Sequence, residues 1–316
     1  MILDLNHDLA LPEFSADVCI VGAGAAGLVL AAELIQKNKR VLLLESGGLT
    51  LEAAPQILNQ CEHTGQPHQG ANIGRFRALG GTTTAWGGQI LELNAEDFTP
   101  RTWIPGSGWP FTKEVLAPYY QRALQSEGLA VATQNDEDLW HQMKIPLPNL
   151  GRELTPYFTR WCPEPNFARL YREVLHSSNL CVVLHATATR MQLSHDGTHV
   201  RGIECTAPSG TQKIFYADQY VLALGTIESV RFLLQPLPGA QTPAWNRSGL
   251  LGRHFQSHID INAARISAVD ATRLHPWFAN AYRDGYKYHP KFRLASAAQQ
   301  QDQILNIAGS ITCINP

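Results

Sequence analysis

A glycine-rich turn lies between a strand pattern and a helix pattern near the start of the chain. Residues 17–21 (DVCIV) form a β-rich apolar run that leads directly into residues 22–27 (GAGAAG). Apolar residues then recur at helical spacing from Leu28 to Ile35. A second apolar run, residues 40–44, ends at Glu45, 23 residues after Gly22. This order predicts a βαβ unit with a dinucleotide-binding fingerprint.

Three glycines and one acidic residue of this unit have separate physical roles. Gly22 permits the tight turn, Gly24 lets the backbone approach a pyrophosphate, and Gly27 allows the helix to pack closely on the strand. The helix N-terminus presents unpaired N–H groups and the positive end of its dipole to the phosphates. Glu45 is expected to accept hydrogen bonds from a ribose diol.

The fingerprint does not separate NAD from FAD, but a second glycine-rich segment does. Residues 45–48 (ESGG) are followed by a long polar stretch and then by residues 75–88 (RFRALGGTTTAWGG), which hold four glycines and three threonines within nine residues. Backbone N–H groups and hydroxyls of such a loop can lie against a flat ring or a phosphate. Trp86 and the two arginines, Arg75 and Arg77, add a ring and positive charge.

With this segment the chain resembles the glucose-methanol-choline (GMC) family of FAD-dependent oxidoreductases. Members carry an Arg-x-x-Gly-Gly-Ser/Thr loop over the flavin, and residues 77–88 read RALGGTTTAWGG. The resemblance implies FAD rather than NAD. The Thr-x-Trp ending looks most like the branch of sugar dehydrogenases and pyranose oxidases, where some members attach the flavin covalently through a histidine between Thr and Trp. Ala85 stands at that position, so we expect non-covalent FAD.

Later segments support the resemblance. Residues 180–184, 191–193, 202–206 and 214–216 predict a strand meander, and the continuous apolar run 220–225 predicts a strand buried on both faces. Gly225 then opens a predicted helix that resembles the second family signature, with Val230 in place of the usual proline. Residues 246–258 resemble a Gly-Arg-x-x-x-x-His element, in which we expect His258 to be structural. The predicted cofactor-binding residues are Gly22, Gly24, Ala25, Ala26, Gly27, Glu45, Ser46, Arg77, Gly80, Gly81, Thr82, Thr83, Trp86, Gly87 and Gly225.

The expected fold class is α/β. We expect an FAD-binding Rossmann-like domain, doubly wound and three-layered with an inserted β-meander, from residues 1–95 and 178–258. Residues 96–177 are rich in proline and aromatics and predict a cap or substrate insert of loops and helices. Residues 259–316 predict the start of an incomplete α+β substrate-domain sheet, because HIDINAARISAV and QILNIAGSITCI alternate as strands do.

The expected activity is oxidation of CH–OH groups of an alcohol or sugar by hydride transfer to flavin N5. This chemistry requires a base for the hydroxyl proton. The resemblance implies a histidine paired with histidine or asparagine in the C-terminal portion, and nothing in this sequence matches that element. We therefore expect a C-terminally truncated chain, inactive alone, and leave the catalytic residues open. Electrons are expected to pass to oxygen, a quinone or a haem protein.

Two alternatives remain at this point, a non-catalytic FAD- or nucleotide-binding remnant of such an enzyme and an NAD-dependent dehydrogenase. The long Gly/Thr loop argues against the second. The net charge of −2 gives no field for nucleic acid. We expect no metal, because no histidine spacing favours one. The start lacks a secretory pattern and no apolar run could span a membrane. Six scattered cysteines predict buried reduced thiols in a cytoplasmic protein.

Overall fold

The computed structural model describes residues 1–7, 14–66, 68–132, 134–236, 243–267 and 269–311. The strands are β1 (Ile2–Asp4), β2 (Ala16–Val21), β3 (Val41–Leu44), β4 (Gln89–Ile90), β5 (Leu154–Trp161), β6 (Leu180–Leu184), β7 (Thr187–Leu193), β8 (Val200–Thr206), β9 (Gln212–Phe215), β10 (Ala217–Leu222), β11 (Ala281–Arg283), β12 (Tyr286–Leu294) and β13 (Ala308–Gly309). The helices are α1 (Ala25–Gln36), α2 (Ala53–Gln56), α3 (Ala95–Phe98), α4 (Lys113–Ser126), α5 (Asp136–Met143), α6 (Phe167–Leu170), α7 (Arg172–Leu175), α8 (Thr226–Leu233), α9 (Ala271–Phe278) and α10 (Ser296–Asp302).

The chain divides into two compact units. The first unit contains residues 1–86 and 166–259, and the second contains residues 87–165 and 260–316. The predicted boundaries at 95 and 178 lie within about a dozen residues of these cuts. The assignment of the units to cofactor and substrate stays a prediction.

A five-stranded parallel sheet forms the centre of the first unit. Its order is β1-β6-β3-β2-β10, and every neighbouring pair is parallel. The central strands β3 and β6 are buried along their whole length because they consist of apolar runs, VLLL and LCVVL. A separate antiparallel sheet contains β7, β8 and β9.

Two strand predictions in this unit need correction. Residues 180–184 belong to the parallel sheet and not to the meander, since β6 pairs in parallel with both β1 and β3. The run 220–225 was predicted to be buried on both faces, but β10 ends at Leu222 and is an edge strand of the described sheet with partly exposed residues. Its apolar composition reflects packing on one side, because Tyr220, Leu222 and Leu224 contact the core of this unit.

Helix α1 packs against the start of the sheet through small residues. A Cβ on Gly27 would lie 1.9 Å from the carbonyl oxygen of Gly22, so no side chain fits there. Leu28, Ala31 and Ala32 follow on the buried face of the helix. The close approach of helix and strand sets the position of the turn between them.

The second unit contains an antiparallel sheet with the order β11-β12-β5-β4, and β13 pairs with β12. Two predictions were wrong here. The region expected to be loops and helices contains β5, which pairs with β12 from Leu154↔Leu294 to Lys287↔Trp161. Conversely, residues 259–267 form no strand, because their alternating apolar side chains find no partner and Ile259 is 88% exposed. Within QILNIAGSITCI only Ala308–Gly309 pairs, and residues 312–316 lie outside the described residues.

Candidate functional site

The two glycine-rich segments predicted to share one ligand are in direct backbone contact. The Gly80 amide donates a hydrogen bond to the Ala23 carbonyl at 2.9 Å. A Cβ on Gly81 would lie 2.8 Å from the Cα of Gly24, so side chains are excluded where the two turns meet. Gly81–Thr84 continues as one 3₁₀ turn. The absence of side chains at this crossing is what lets two distant stretches of backbone reach one place.

These segments line one cavity of about 690 Å³, which lies entirely within the first unit. Such a volume falls within the range of about 300 to 1,000 Å³ that is usual for small-molecule and cofactor sites. Eleven of the fifteen predicted residues line it, namely Gly22, Gly24, Ala25, Ala26, Glu45, Ser46, Arg77, Gly81, Thr82, Thr83 and Gly225.

The other four predicted residues lie elsewhere or act indirectly. Gly27 packs the helix on the strand, and Gly80 supports the crossing of the two turns. The ring of Trp86 makes an edge contact with Phe167, with ring centroids 5.7 Å apart. Gly87 belongs to the second unit, where a Cβ would clash with Trp161 at 2.3 Å. None of these four is among the cavity-lining residues.

Glu45 ties the first turn to the end of its neighbouring strand. One carboxylate oxygen accepts the Ala23 amide at 2.9 Å, and the other accepts the Gly47 amide at 2.9 Å. Burial raises the pKa of this carboxyl group, although the accepted hydrogen bonds oppose that effect. Oε1, which accepts the Gly47 amide, also accepts the Ser46 hydroxyl at 3.3 Å, so Oε2 is the oxygen to which a ribose hydroxyl could still donate.

Two helix N-termini open on the cavity. Gly24 is the N-cap of α1 and Gly225 is the N-cap of α8, and neither helix has a side-chain hydrogen bond at its cap. The first amides of each helix therefore remain available to a ligand. Both helix dipoles favour a negatively charged group at this place.

A cluster of three arginines around Glu228 forms one wall of the cavity. Arg75 lies 2.9 Å, Arg77 3.0 Å and Arg231 2.8 Å from the Glu228 carboxylate oxygens. Arg77 also donates to Asn59 at 2.8 Å and to Ser46 at 3.1 Å. We call Arg75, Arg77, Arg231 and Glu228 the arginine cluster. With three guanidinium groups and one carboxylate it carries a net charge of +2.

The carboxyl group of Glu228 is buried, yet it stays ionised. Burial alone would raise its pKa, but hydrogen bonds from Arg231 and Arg75 and the charge of Arg77 outweigh burial and lower the pKa to about 2. Glu228, Arg231 and Asn59 were not among the residues predicted from the sequence. The residues 228–231 (ESVR) offered a signal, because a glutamate and an arginine three apart on a helix face one another.

A second cluster of charged side chains, which was not predicted from the sequence, lies beside the turn after β3. His185 lies between two carboxylates, with Nδ1 2.9 Å from Asp4 and Nε2 2.9 Å from Glu52. Burial opposes the charged imidazole, but the two carboxylates outweigh burial and raise its pKa. The His185 amide also donates to the Gly47 carbonyl at 3.0 Å. His185 thus joins β1, the strand end at Glu45 and the start of the following loop.

Other predicted features have the following placements. His258 and Arg253 are exposed. Four of the five described cysteines are buried, but Cys61 is exposed, contrary to prediction, because it lies in a surface loop; Cys313 falls outside the described residues.

In the described part of the chain no cluster of three metal-ligating side chains is found. None of the described helices has the length and apolar character to cross a membrane.

Comparisons with known proteins agree with this geometry. Residues 20–69 match the family model of an NAD(P)-binding Rossmann-like domain. The chain is 30% identical to 6'''-hydroxyparomomycin C oxidase of Streptomyces lividus over 85% of the chain and 60% of that protein. It is 23% identical to oxygen-dependent choline dehydrogenase of Pectobacterium carotovorum subsp. carotovorum, over 83% of the chain and 56% of that protein. The chain thus spans somewhat more than half the length of these relatives.

Solved structures with a related fold include formate oxidase, at 18% identity and a TM-score of 0.48 over 71% of this chain and 48% of that one. Pyridoxine 4-oxidase from Mesorbium loti matches at 22% identity and a TM-score of 0.44, over 68% of this chain and 50% of that one.

The parallel sheet and the matched segment show a Rossmann-like α/β fold. By its sequence relatives the chain resembles the GMC type of oxidoreductase. The predicted resemblance and the predicted α/β fold class are therefore confirmed, and the predicted FAD cofactor is consistent with this fold.

Proposed function

We propose that this chain holds FAD without a covalent bond and belongs to an oxidoreductase that oxidises CH–OH groups of an alcohol or a sugar. The observation that carries the proposal is the contact between the turn at Gly24 and the loop at Gly81 beside one cavity. An NAD-dependent dehydrogenase needs only the first turn, so the second loop favours FAD.

The residues around the cavity fit the charge and shape of a dinucleotide. A Cβ at Gly81 is excluded because the two main chains touch there, and this contact brings both turns to the edge of the same cavity. Two uncapped helix N-termini and the net positive arginine cluster face the same cavity, which suits a diphosphate. Ala85 leaves no histidine between Thr84 and Trp86 to form a covalent link.

Each part of the site has a proposed role. FAD, when bound, would supply the acceptor for the hydride that leaves the carbon bearing the substrate hydroxyl group. The amides at the start of α1, together with Arg77, would hold the diphosphate, and Glu45 would orient the ribose. The exposed Thr82 could donate a hydroxyl to the flavin, whereas Thr83 already donates to Gly80 at 2.6 Å and accepts from Phe167 at 3.0 Å. The base that takes the substrate proton stays unassigned.

Binding of FAD and NAD side by side tests the cofactor assignment. FAD should bind the purified chain and NAD should not, as measured by equilibrium dialysis and by the visible absorption of bound flavin. Arg77→Gln should weaken FAD binding at least about tenfold, since a charge-assisted hydrogen bond contributes about 1.5 to 3 kcal/mol. Arg190→Gln is the matched control, because Arg190 is exposed and lies outside the cavity. Equal binding of both dinucleotides would contradict the proposal.

The oxidation step is tested on the FAD-loaded intact gene product, because the chain of 316 residues is expected to be inactive alone. Under anaerobic conditions, an alcohol or sugar substrate should bleach the visible absorption of its flavin. An intact gene product that binds FAD but is bleached by no member of a broad alcohol and sugar panel would instead be a non-catalytic FAD-binding protein.

A further inference from the structure

His185 follows β6 directly, and each of its two ring nitrogens faces a carboxylate. Nδ1 lies 2.9 Å from Asp4 at the end of β1, and Nε2 lies 2.9 Å from Glu52, the N-cap residue of α2. A neutral imidazole carries a single N–H, so it can donate to only one of two ionised carboxylates. With both carboxylates ionised, the two contacts are satisfied together only when the ring is protonated on both nitrogens.

The charged groups around the ring favour its protonated form. The His185 side chain is 8% exposed, whereas those of Asp4 and Glu52 are 29% and 43% exposed. Burial lowers the pKa of His185, but the hydrogen bonds and charges of Asp4 and Glu52 outweigh burial and raise it above its usual value. Glu45, another acidic residue of the turn after β3, directs its carboxylate at two backbone amides instead.

Helix α2 connects Glu52 to the main chain of the loop that contains Arg77. Gln56 lies one helical turn after Glu52, and its side-chain amide donates to the Arg77 carbonyl at 2.8 Å and accepts from the Arg77 amide at 2.9 Å. One residue of α2 thus holds both main-chain polar groups of Arg77. Arg77 lines the cavity and pairs with Glu228 at 3.0 Å. The position of its guanidinium group therefore depends on the position of α2.

The turn between β3 and α2 gives a second connection between His185 and the same loop. The His185 amide donates to the Gly47 carbonyl at 3.0 Å, and the Leu79 amide donates to the Gly48 carbonyl at 2.9 Å. A Cβ on Gly47 would lie 2.1 Å from the Arg77 carbonyl oxygen, so the two main chains are in contact there. His185, the turn and the loop therefore form one connected set of contacts.

Loss of one proton from His185 leaves a donor for only one of the two carboxylates. Asp4 lies in a strand of the parallel sheet and also accepts the Asn6 amide at 2.8 Å, so its position is fixed on two sides. The Glu52 side chain is the more exposed of the two and can turn to water. We therefore expect the neutral ring to keep Asp4 and release Glu52, which loosens α2 and its hold on Arg77.

We propose that protonated His185 is a positioning residue for the dinucleotide: through Glu52 and α2 it holds Arg77 where the diphosphate binds, and loss of the proton weakens binding. His185 itself is not among the cavity-lining residues, so it acts through Arg77. The effect on FAD rests on the function proposed above, whereas the effect on the loop does not.

The pH profile of FAD affinity tests the proposal on the whole chain, by equilibrium dialysis from pH 6 to pH 9. Affinity should fall by about fivefold as the pH rises through the pKa of His185, a modest factor because the lost partner Glu52 is partly exposed. His185→Gln should bind FAD weakly at both pH values. Glu52→Gln should make affinity independent of pH, because an amide can donate to or accept from Nε2 in either protonation state. His195→Gln, at an exposed histidine of the same unit outside the cavity, should keep the wild-type profile.

Hydrogen exchange of the cofactor-free chain gives a readout that does not use FAD. The Arg77 and Leu79 amides donate to α2 and to the turn, so their exchange reports the opening of these contacts. After correction for intrinsic exchange rates, opening should increase by about fivefold from pH 6 to pH 9 in the wild type and in His195→Gln. It should not depend on pH in His185→Gln or in Glu52→Gln. Circular dichroism should confirm that each variant is folded.

The two readouts keep this proposal apart from the proposed function. No FAD binding at any pH, with loop opening that increases with pH in the wild type alone among wild type, His185→Gln and Glu52→Gln, would contradict the proposed function and leave the hold of His185 on the loop supported. FAD binding with the same pH profile in wild type and His185→Gln would overturn the role of His185, as would loop opening that is equal at both pH values. If His185→Gln does not fold, the profile of Glu52→Gln decides: an unchanged pH dependence in that variant would overturn the proposal.

Discussion

Replacing Glu228 by glutamine should destabilise the protein by removing the carboxylate that the three guanidinium groups of the arginine cluster share. The pKa of Glu228 is lowered from 4.5 to about 2. At 1.36 kcal/mol per pKa unit this corresponds to about 3 kcal/mol of stability at pH 7. Breaking buried ion pairs by removing one partner costs a similar amount. Glutamine keeps the shape but places an NH2 group where one oxygen accepted, so the loss combines the charge with the hydrogen bonding of that oxygen.

The sign of the pH dependence follows from the direction of the shift. A carboxyl group whose pKa is lowered in the folded state adds stability above its unfolded value, near 4.5, and loses it as the pH falls toward 2. The difference between wild type and Glu228→Gln should therefore be greatest at neutral pH. It should shrink below about pH 4.5, where Glu228 of the unfolded chain becomes protonated, and be smallest near pH 2, where Glu228 of the folded protein is protonated as well.

Urea unfolding of the cofactor-free protein at pH 7, 4.5 and 3.5, followed by circular dichroism, measures this difference. Glu62→Gln is the matched control, since Glu62 is exposed in the same unit and should give the wild-type midpoint at each pH. Equal midpoints for wild type and Glu228→Gln at pH 7 would refute the reasoning. So would a loss of stability that stays the same from pH 7 to 3.5.

Three further predictions concern other parts of the first unit. Gly81→Ala should lower the unfolding free energy by about 1 to 3 kcal/mol and weaken FAD binding, because φ is +55° and the new Cβ would meet the backbone of Gly24. Gly210→Ala is the control: Gly210 has φ +87° but lies in open space, so FAD binding should stay intact. His185→Gln should lower the thermal midpoint more at pH 6 than at pH 9, because a histidine with a raised pKa adds stability below about pH 6.5 that is lost as pH rises through the folded pKa; an equal loss at both pH values would contradict this. Cys61→Ser should remove one fast-reacting thiol in a thiol-reagent assay of the native protein, whereas Cys19→Ser should not, since Cys19 is fully buried and burial raises its pKa to about 12.

Local sequence patterns sufficed for the βαβ unit because its constraints are local. The helix predicted from Leu28 to Ile35 lies within Ala25–Gln36, and the two strands begin within one residue of prediction. Glycines were informative where a Cβ cannot fit, as at Gly22, Gly27 and Gly81. Strand pairing, in contrast, is not local. No residue near β5 indicates that this strand pairs with β12, more than a hundred residues later. For the same reason residues 259–267 were predicted to be a strand: their alternation fits a strand, but the sequence does not show that they have no partner strand.

The candidate site, too, was predicted only where the constraints are local. The backbone part of the site was predicted, because glycine and threonine in a loop restrict what the main chain can do. The side-chain part was not, because the arginine cluster joins residues about 150 positions apart, as between Arg75 and Glu228. Helical spacing could relate Arg231 to Glu228, but only the packing of α8 beside the loop at residues 75–77 brings all four charges together.

A carboxylate in a cavity that we propose to hold a diphosphate has a physical reason in this arrangement. Three guanidinium groups within hydrogen-bonding distance of one carboxylate would repel one another when no anion is bound. Glu228 reduces that repulsion, and its place in the first turn of α8 adds the favourable field of the helix dipole. The wall still keeps a net charge of +2, which a diphosphate could balance. The carboxylate thus fixes the directions of the arginines before the ligand arrives, so less conformational entropy is lost when the ligand binds.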